Sequence, residues 1–134
     1  MEHIAAHIRN IPDFPEPGIQ FKDITPLLKH AEALKDTVNA LAKPYQKQSI
    51  TAVAGMESRG FIFGSLVAAE LNVGFIPLRK PGKLPYKTES VSYDLEYGST
   101  ELHMHIDAVE LAHRILLVDD LIATGGTAGA SCQL

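Results

Sequence analysis

Apolar residues recur along this chain with two spacings, and the switches between them outline the fold. Near the start, Ile4, Ile8 and Ile11 fall at helical spacing, which predicts a short helix ending before Pro12. The stretch holding Pro12, Pro15, Pro17 and Gly18 reads as a stiff, irregular arm, because each proline ring fixes φ and removes a donor. Thr25 before Pro26 reads as an N-cap followed by the first helical residue. A longer helix is predicted next, with Leu34, Val38, Leu41, Ala42 and Tyr45 on one face.

From residue 50 onward, short apolar runs alternate with helical stretches. Residues 50–54 predict a strand, 61–71 a helix and 74–78 a second strand; 79–88 form a basic loop. Segments 90–97 and 101–106 alternate in polarity around Gly98 and Ser99, which predicts a β-hairpin. Ile115–Val118 is continuously apolar, as buried parallel strands are. This order predicts an α/β fold with a parallel-sheet core and the hairpin as an excursion from it. Alternation also puts His103, His105 and Asp107 on one side of a strand, opposite Leu102, Met104 and Ile106. The trio has the look of a metal site, but an exposed polar face is the simpler reading, since no further ligand is evident.

Composition narrows the classes. The 134 residues suit one domain, and 46 % apolar content is enough for a core. A net charge of −4 offers no basic surface for nucleic acid. No apolar run approaches membrane-spanning length, and the first residues lack a signal-peptide pattern, so no membrane partner is expected. The single cysteine, Cys132, excludes an internal disulfide and fits a reducing cytoplasm.

The chemistry concentrates after residue 115. The apolar run ends in Asp119 and Asp120, followed by Ala123, Thr124, Gly125, Gly126 and Thr127. A glycine-rich loop lets backbone N–H groups converge, and a helix beginning near Thr127 would add its positive end. A phosphate suits that cradle. The two carboxylates would repel it, so they must serve a different purpose, that of holding sugar hydroxyls directly or through Mg²⁺. A Walker A loop is excluded because no Lys occurs after Lys87, and no G-x-G-x-x-G fingerprint exists.

The acidic pair with T-G-G-T resembles the phosphoribosyl pyrophosphate (PRPP) signature of type I phosphoribosyltransferases. Four further segments, Phe14-Pro15 with Gly18–Ile24, the turn Gly55–Phe61, the loop Arg79–Pro85, and Ser92–Gly98, resemble the adenine phosphoribosyltransferases of that family, in the family's order, from about Asp13 to Leu134. The resemblance implies a type I phosphoribosyltransferase fold in a single domain, residues 1–134. Its N-terminal helix and hood arm would be 1–30, and its mobile loop and hairpin 80–106.

The resemblance also implies roles. The 5-phosphate of PRPP would lie in the 123–127 cradle, with Asp119 and Asp120 near the ribose hydroxyls and as candidate Mg²⁺ ligands. Glu57, Ser58 and Arg59 match a pyrophosphate loop that usually has Asp at the first position and often contains a cis peptide. Without the resemblance, the same residues read as a strand-to-helix turn capped by Ser58. Arg79, Lys80 and Lys83 would neutralise pyrophosphate, with part of the cationic set coming from a neighbouring subunit of a homodimer. Glu96 would be the acid/base residue beside the purine, and Tyr97 would help close the site. Phe21 would stack on adenine, while backbone groups at Gln20 and Lys22 read the purine edge.

The implied reaction condenses adenine with PRPP to give AMP and pyrophosphate, with Mg²⁺ as cofactor. Two alternatives stay open: a transferase for another purine base, or a truncated or non-catalytic nucleotide-binding form. The second arises because only about two helical turns follow Thr127, at roughly 3.6 residues per turn, where family members continue. A fold short at its C-terminus, with an uncovered edge or face beside Ile115–Val118, is therefore expected.

Overall fold

A computed structural model describes residues 2–94, 99–119 and 131–134. The chain divides into two compact units, Met1–Lys43 and Pro44–Leu134.

In the first unit, helix α1 spans only Glu2–Ala5, and the chain then forms strand β1, Arg9–Pro12. β1 pairs antiparallel with β2, Gln20–Asp23, matching Ile11 to Phe21 and Pro12 to Gln20. The expected helix over Ile4, Ile8 and Ile11 is thus cut short. Four residues make barely one helical turn, while β2 offers a hydrogen-bonding partner for the rest. Pro12 sits at the strand end, where a missing N–H costs little.

Helix α2 spans Thr25–Lys29 with Pro26 in its first turn, but Thr25 is not the cap. Asp23 takes that role in effect: its Oδ1 accepts from the Thr25 backbone N–H at 2.9 Å and from the Thr25 hydroxyl. Helix α3 spans Ala31–Ala42, capped by His30, whose Nδ1 accepts from the Ala33 N–H at 3.2 Å. Its buried residues are Ala33, Val38 and Ala42, whereas Leu41, expected on the inner face, is 42 % exposed.

The second unit holds a three-stranded parallel sheet in the order β4-β3-β7, built from β3 Ala52–Met56, β4 Gly74–Leu78 and β7 Ile115–Val118. The central strand begins two residues later than its apolar run suggested. Helix α4, Arg59–Leu71, crosses between β3 and β4 and ends at Asn72 in the left-handed region. Strands β5, Thr88–Asp94, and β6, Ser99–His105, pair antiparallel from Thr88–His105 to Asp94–Ser99. Ser99, expected in the turn, is therefore already in a strand, and Ile106 lies beyond β6. The intervening 95–98 fall outside the described residues.

The two faces of the parallel sheet are covered differently. Toward α4, a methyl on Gly55 would overlap the Gly60 carbonyl oxygen and stand 2.9 Å from its carbon. The helix therefore rests directly on β3, backbone against backbone. The other face carries Ala52, Ala54, Met56, Ile76 and Leu78, packed with Leu102 and Met104 of β6. Beside them opens an apolar cavity of about 290 Å³, lined in part by Ile115, Leu117, Cys132 and Leu134.

Candidate active site

Parallel strands release their chains at a common edge. In this sheet Gly55 is opposite Val118 and Met56 opposite Leu78. The residues that follow, Glu57, Arg79 and Asp119, consequently leave at the same carboxyl edge, where open α/β sheets bind ligands.

The close seat of α4 brings its first turn to that edge. A Cβ on Gly60 would stand 3.0 Å from the Val118 carbonyl oxygen and 3.5 Å from Asp119 Oδ1. Asp119 thus lies beside the start of a 13-residue helix, whose partial positive charge favours anions. Ser58 is the N-cap by position, yet its side chain makes no capping hydrogen bond, so the reading of Ser58 as a simple capping residue fails. The Glu57–Ser58 peptide is cis, and Arg59 opens the helix.

Glu57 joins this turn to the basic loop. Its Oε1 accepts from the Lys80 backbone N–H at 2.6 Å and lies 3.4 Å from Arg79 Nε. Its own N–H donates to the Leu78 carbonyl at 3.0 Å. Partial burial pushes the Glu57 carboxyl up, but the bond from Lys80, the contact and charge of Arg79 and the charge of Lys80 outweigh it. The net result is a lowered pKa. Arg79 is held from several sides. Its guanidinium carbon sits 5.6 Å from the Phe61 ring centroid, its Nη1 donates to the Lys83 carbonyl at 3.5 Å, and its backbone pairs with His103 in both directions. Lys80 and Lys83 are exposed.

His103 is occupied structurally: its ring nitrogens meet the Thr88 hydroxyl at 2.9 Å and Glu101 Oε2 at 3.0 Å. His105 accepts from the Tyr86 N–H at 3.3 Å. Among the described residues, no three His, Cys, Asp or Glu side chains group around a metal position.

In the first unit, Phe21 sits on β2 between exposed Gln20 and Lys22, and Phe14 meets it edge-on at 5.0 Å. Glu96, Tyr97, Asp120, Ala123, Thr124, Gly125, Gly126 and Thr127 lie outside the described residues. Sequence reasoning missed Phe61 beneath Arg79 and the pairing of Arg79 with His103. Phe61 was visible as part of a turn motif, but nothing in the chain's spacing pointed to His103.

Residues 26–134 match the model of the phosphoribosyl transferase domain. The whole chain aligns with an adenine phosphoribosyltransferase of Methylococcus capsulatus at 61 % identity, covering 78 % of that protein. It is similar to the crystal structure of adenine phosphoribosyltransferase from Rhodothermus marinus, with TM-score 0.91 and 57 % identity over 99 % of this chain and 76 % of that one. A Saccharomyces cerevisiae adenine phosphoribosyltransferase, solved with an imino-altritol bisphosphate and adenine, superposes with TM-score 0.94. That match has 35 % identity over 99 % of this chain and 78 % of the yeast chain. With the acidic strand end, the helix start and the basic loop gathered at one sheet edge, the chain belongs to the adenine phosphoribosyltransferases and has their type I fold.

Proposed function

We propose that this chain transfers the 5-phosphoribosyl group of PRPP to adenine, releasing pyrophosphate and forming AMP. One observation carries the reading: the carboxyl edge of the sheet gathers Asp119, the start of α4 and the Arg79 loop. In this reading, an acid for sugar hydroxyls shares one sheet edge with cations for pyrophosphate.

The assignment of roles follows the chemistry. As the bond from C1 to pyrophosphate breaks, its electron pair leaves with the pyrophosphate, and the ribose ring gains oxocarbenium character. Arg59, Arg79, Lys80 and Lys83 stabilise the charge on the leaving group, with Ser58 in the same turn. The 5-phosphate falls to the 123–127 cradle, and Asp119 and Asp120 take the 2′ and 3′ hydroxyls. Adenine, as its N7–H tautomer, then attacks C1 through N9, and the Glu96 carboxylate takes the N7 proton as that bond forms. Phe21 is the stacking surface for adenine, Gln20 and Lys22 read its edge by backbone groups, and Tyr97 closes over it.

Asp119 is a hard oxygen donor suited to Mg²⁺, which typically takes one or two carboxylates and completes its shell with substrate oxygens. With Asp120 it would hold Mg²⁺, which when bound neutralises pyrophosphate charge. The reading further takes residues 1–134 as a single domain, with 1–30 as hood arm and 80–106 as a loop and hairpin that close to exclude water. It places the protein in the cytoplasm as a homodimer. Cys132 is a free thiol, and no helix among the described residues is long and apolar enough to cross a membrane.

The test is Asp119→Asn combined with Asp120→Asn, followed by PRPP titration and by absorbance of AMP formation. Turnover and PRPP affinity should both collapse, because the reading assigns both carboxylates to the ribose hydroxyls, and a thermal melt run alongside separates that loss from unfolding. Unchanged PRPP affinity would remove the assignment.

A further inference from the structure

We infer that Glu57 is a positioning residue, whose carboxylate sets the conformation of the 79–83 cationic loop rather than touching PRPP. The inference rests on the PRPP reading above and deepens it. A carboxylate facing pyrophosphate would oppose binding, so its presence in this turn requires another reason. The geometry supplies one. Glu57 Oε1 is committed to the Lys80 N–H at 2.6 Å and to Arg79 Nε at 3.4 Å. The Glu57 side chain is only 15 % exposed, against 33 % for Arg79.

The partners explain why one carboxylate matters. Arg79 Nε is buried, and its approach to Glu57 falls short of a hydrogen bond. Without Glu57, a buried cationic nitrogen would lose its compensating charge, and the Lys80 amide would lose its acceptor. Among the described residues, the guanidinium would then keep the Phe61 ring and the Lys83 carbonyl as anchors. A search over the torsions of Arg79, Lys80 and Lys83 would precede every binding event, whereas a preset loop completes that ordering during folding.

The experiment measures pyrophosphate affinity, PRPP kinetics and backbone amide exchange in the parent, Glu57→Ala, Glu57→Gln and Glu57→Asp. Positioning predicts that Glu57→Ala weakens pyrophosphate binding and raises the PRPP KM by roughly tenfold or more, the scale of one charge-assisted hydrogen bond. kcat at saturating PRPP should change far less, because a disordered loop weakens ground and transition states together. Exchange at the Lys80 amide should speed up by a similar factor in the ligand-free protein. Glu57→Asp should recover most of the loss. Glu57→Gln, which keeps an acceptor and packs alike, should lie between and guards against a misfolded alanine variant.

If Glu57 acted only as a negative charge near the phosphates, its removal would tighten pyrophosphate binding, and that result overturns the proposal. Unchanged Lys80 exchange overturns it too, as does a fall in kcat with pyrophosphate affinity intact. A parent that binds neither PRPP nor pyrophosphate would defeat the functional reading instead. The exchange comparison would then decide the positioning role alone.

Discussion

The two faces of the parallel sheet solve the same burial problem with different tolerance. On the α4 face, Gly55 and Gly60 let helix and strands touch through their backbones, with the Phe75 ring packed beside Gly55. On the β6 face, aliphatic side chains and methionines fill the space, and a cavity of about 290 Å³ remains beside them. The tight face is the one that places the start of α4 against Asp119. Precision at the site therefore comes from backbone contact, which cannot adjust, while stability on the far face comes from side chains, which can.

The sharpest way to break this contrast is Gly55→Ala. The new methyl meets backbone atoms of Gly60, so the helix must move bodily away from β3. Overpacking commonly costs about 1–3 kcal/mol, and with backbone as the obstacle the loss should be about 3 kcal/mol or more. The same shift separates Gly60 from Asp119, so PRPP affinity should fall with stability. Gly74→Ala is the matched control, since nothing lies within 4 Å of its Cβ position. Denaturant melts of the pair would decide it: equal effects would mean that glycine there serves only chain flexibility.

The tight face also shows what could be read from the sequence. β4 and β7 were legible to the residue, because each is a short apolar run set off from its neighbours. The candidate site was legible as motifs, since the turn after β3, the basic loop and Asp119 each follow an apolar run. The N-terminal helix is present but stops at Ala5, short of the reach that Ile8 and Ile11 suggest, because pairing between β1 and β2 is decided by a partner strand that lies beyond the prolines of the intervening arm. The cap at Asp23 was missed because Thr25 is itself a good capping residue. The bond from the Lys80 amide to Glu57 spans 23 positions, and no local pattern encodes it.

A smaller effect separates the rigid edge from the rest by pH. The Glu57 carboxyl titrates below its ordinary range in the folded chain, so its contribution is complete above the unfolded pKa, about 4.3. The contribution is lost as pH falls through the lowered folded value. Stability of the parent over Glu57→Gln, roughly 1 kcal/mol at neutral pH, should therefore shrink on acidification and close below that value. Asp23 behaves in the same sense, lowered chiefly by the Thr25 hydroxyl and then by the Thr25 amide. A gap between parent and Glu57→Gln that stays constant from about pH 7 to about pH 3 would mean that neither the Lys80 bond nor the Arg79 contact favours the charged carboxylate.

The smallest expected effect lies on the tolerant face. Ala54 is buried on β3 and lines the cavity with Ile76, Leu117 and Met104. Ala54→Val adds two methyl groups beside empty, apolar space, and β-branched residues fit a pleated strand. Filling such a space commonly stabilises by about 0.5–2 kcal/mol, and a single valine in a cavity this size should fall near the lower end. PRPP affinity should not change, because Ala54 faces away from α4. The comparison with Gly55 is direct: adjacent residues on one strand, each gaining carbon, are predicted to move stability in opposite directions. A destabilised Ala54→Val would show that the β6 face is as inflexible as the α4 face. The site would then draw its precision from the whole sheet and not from the glycine contact.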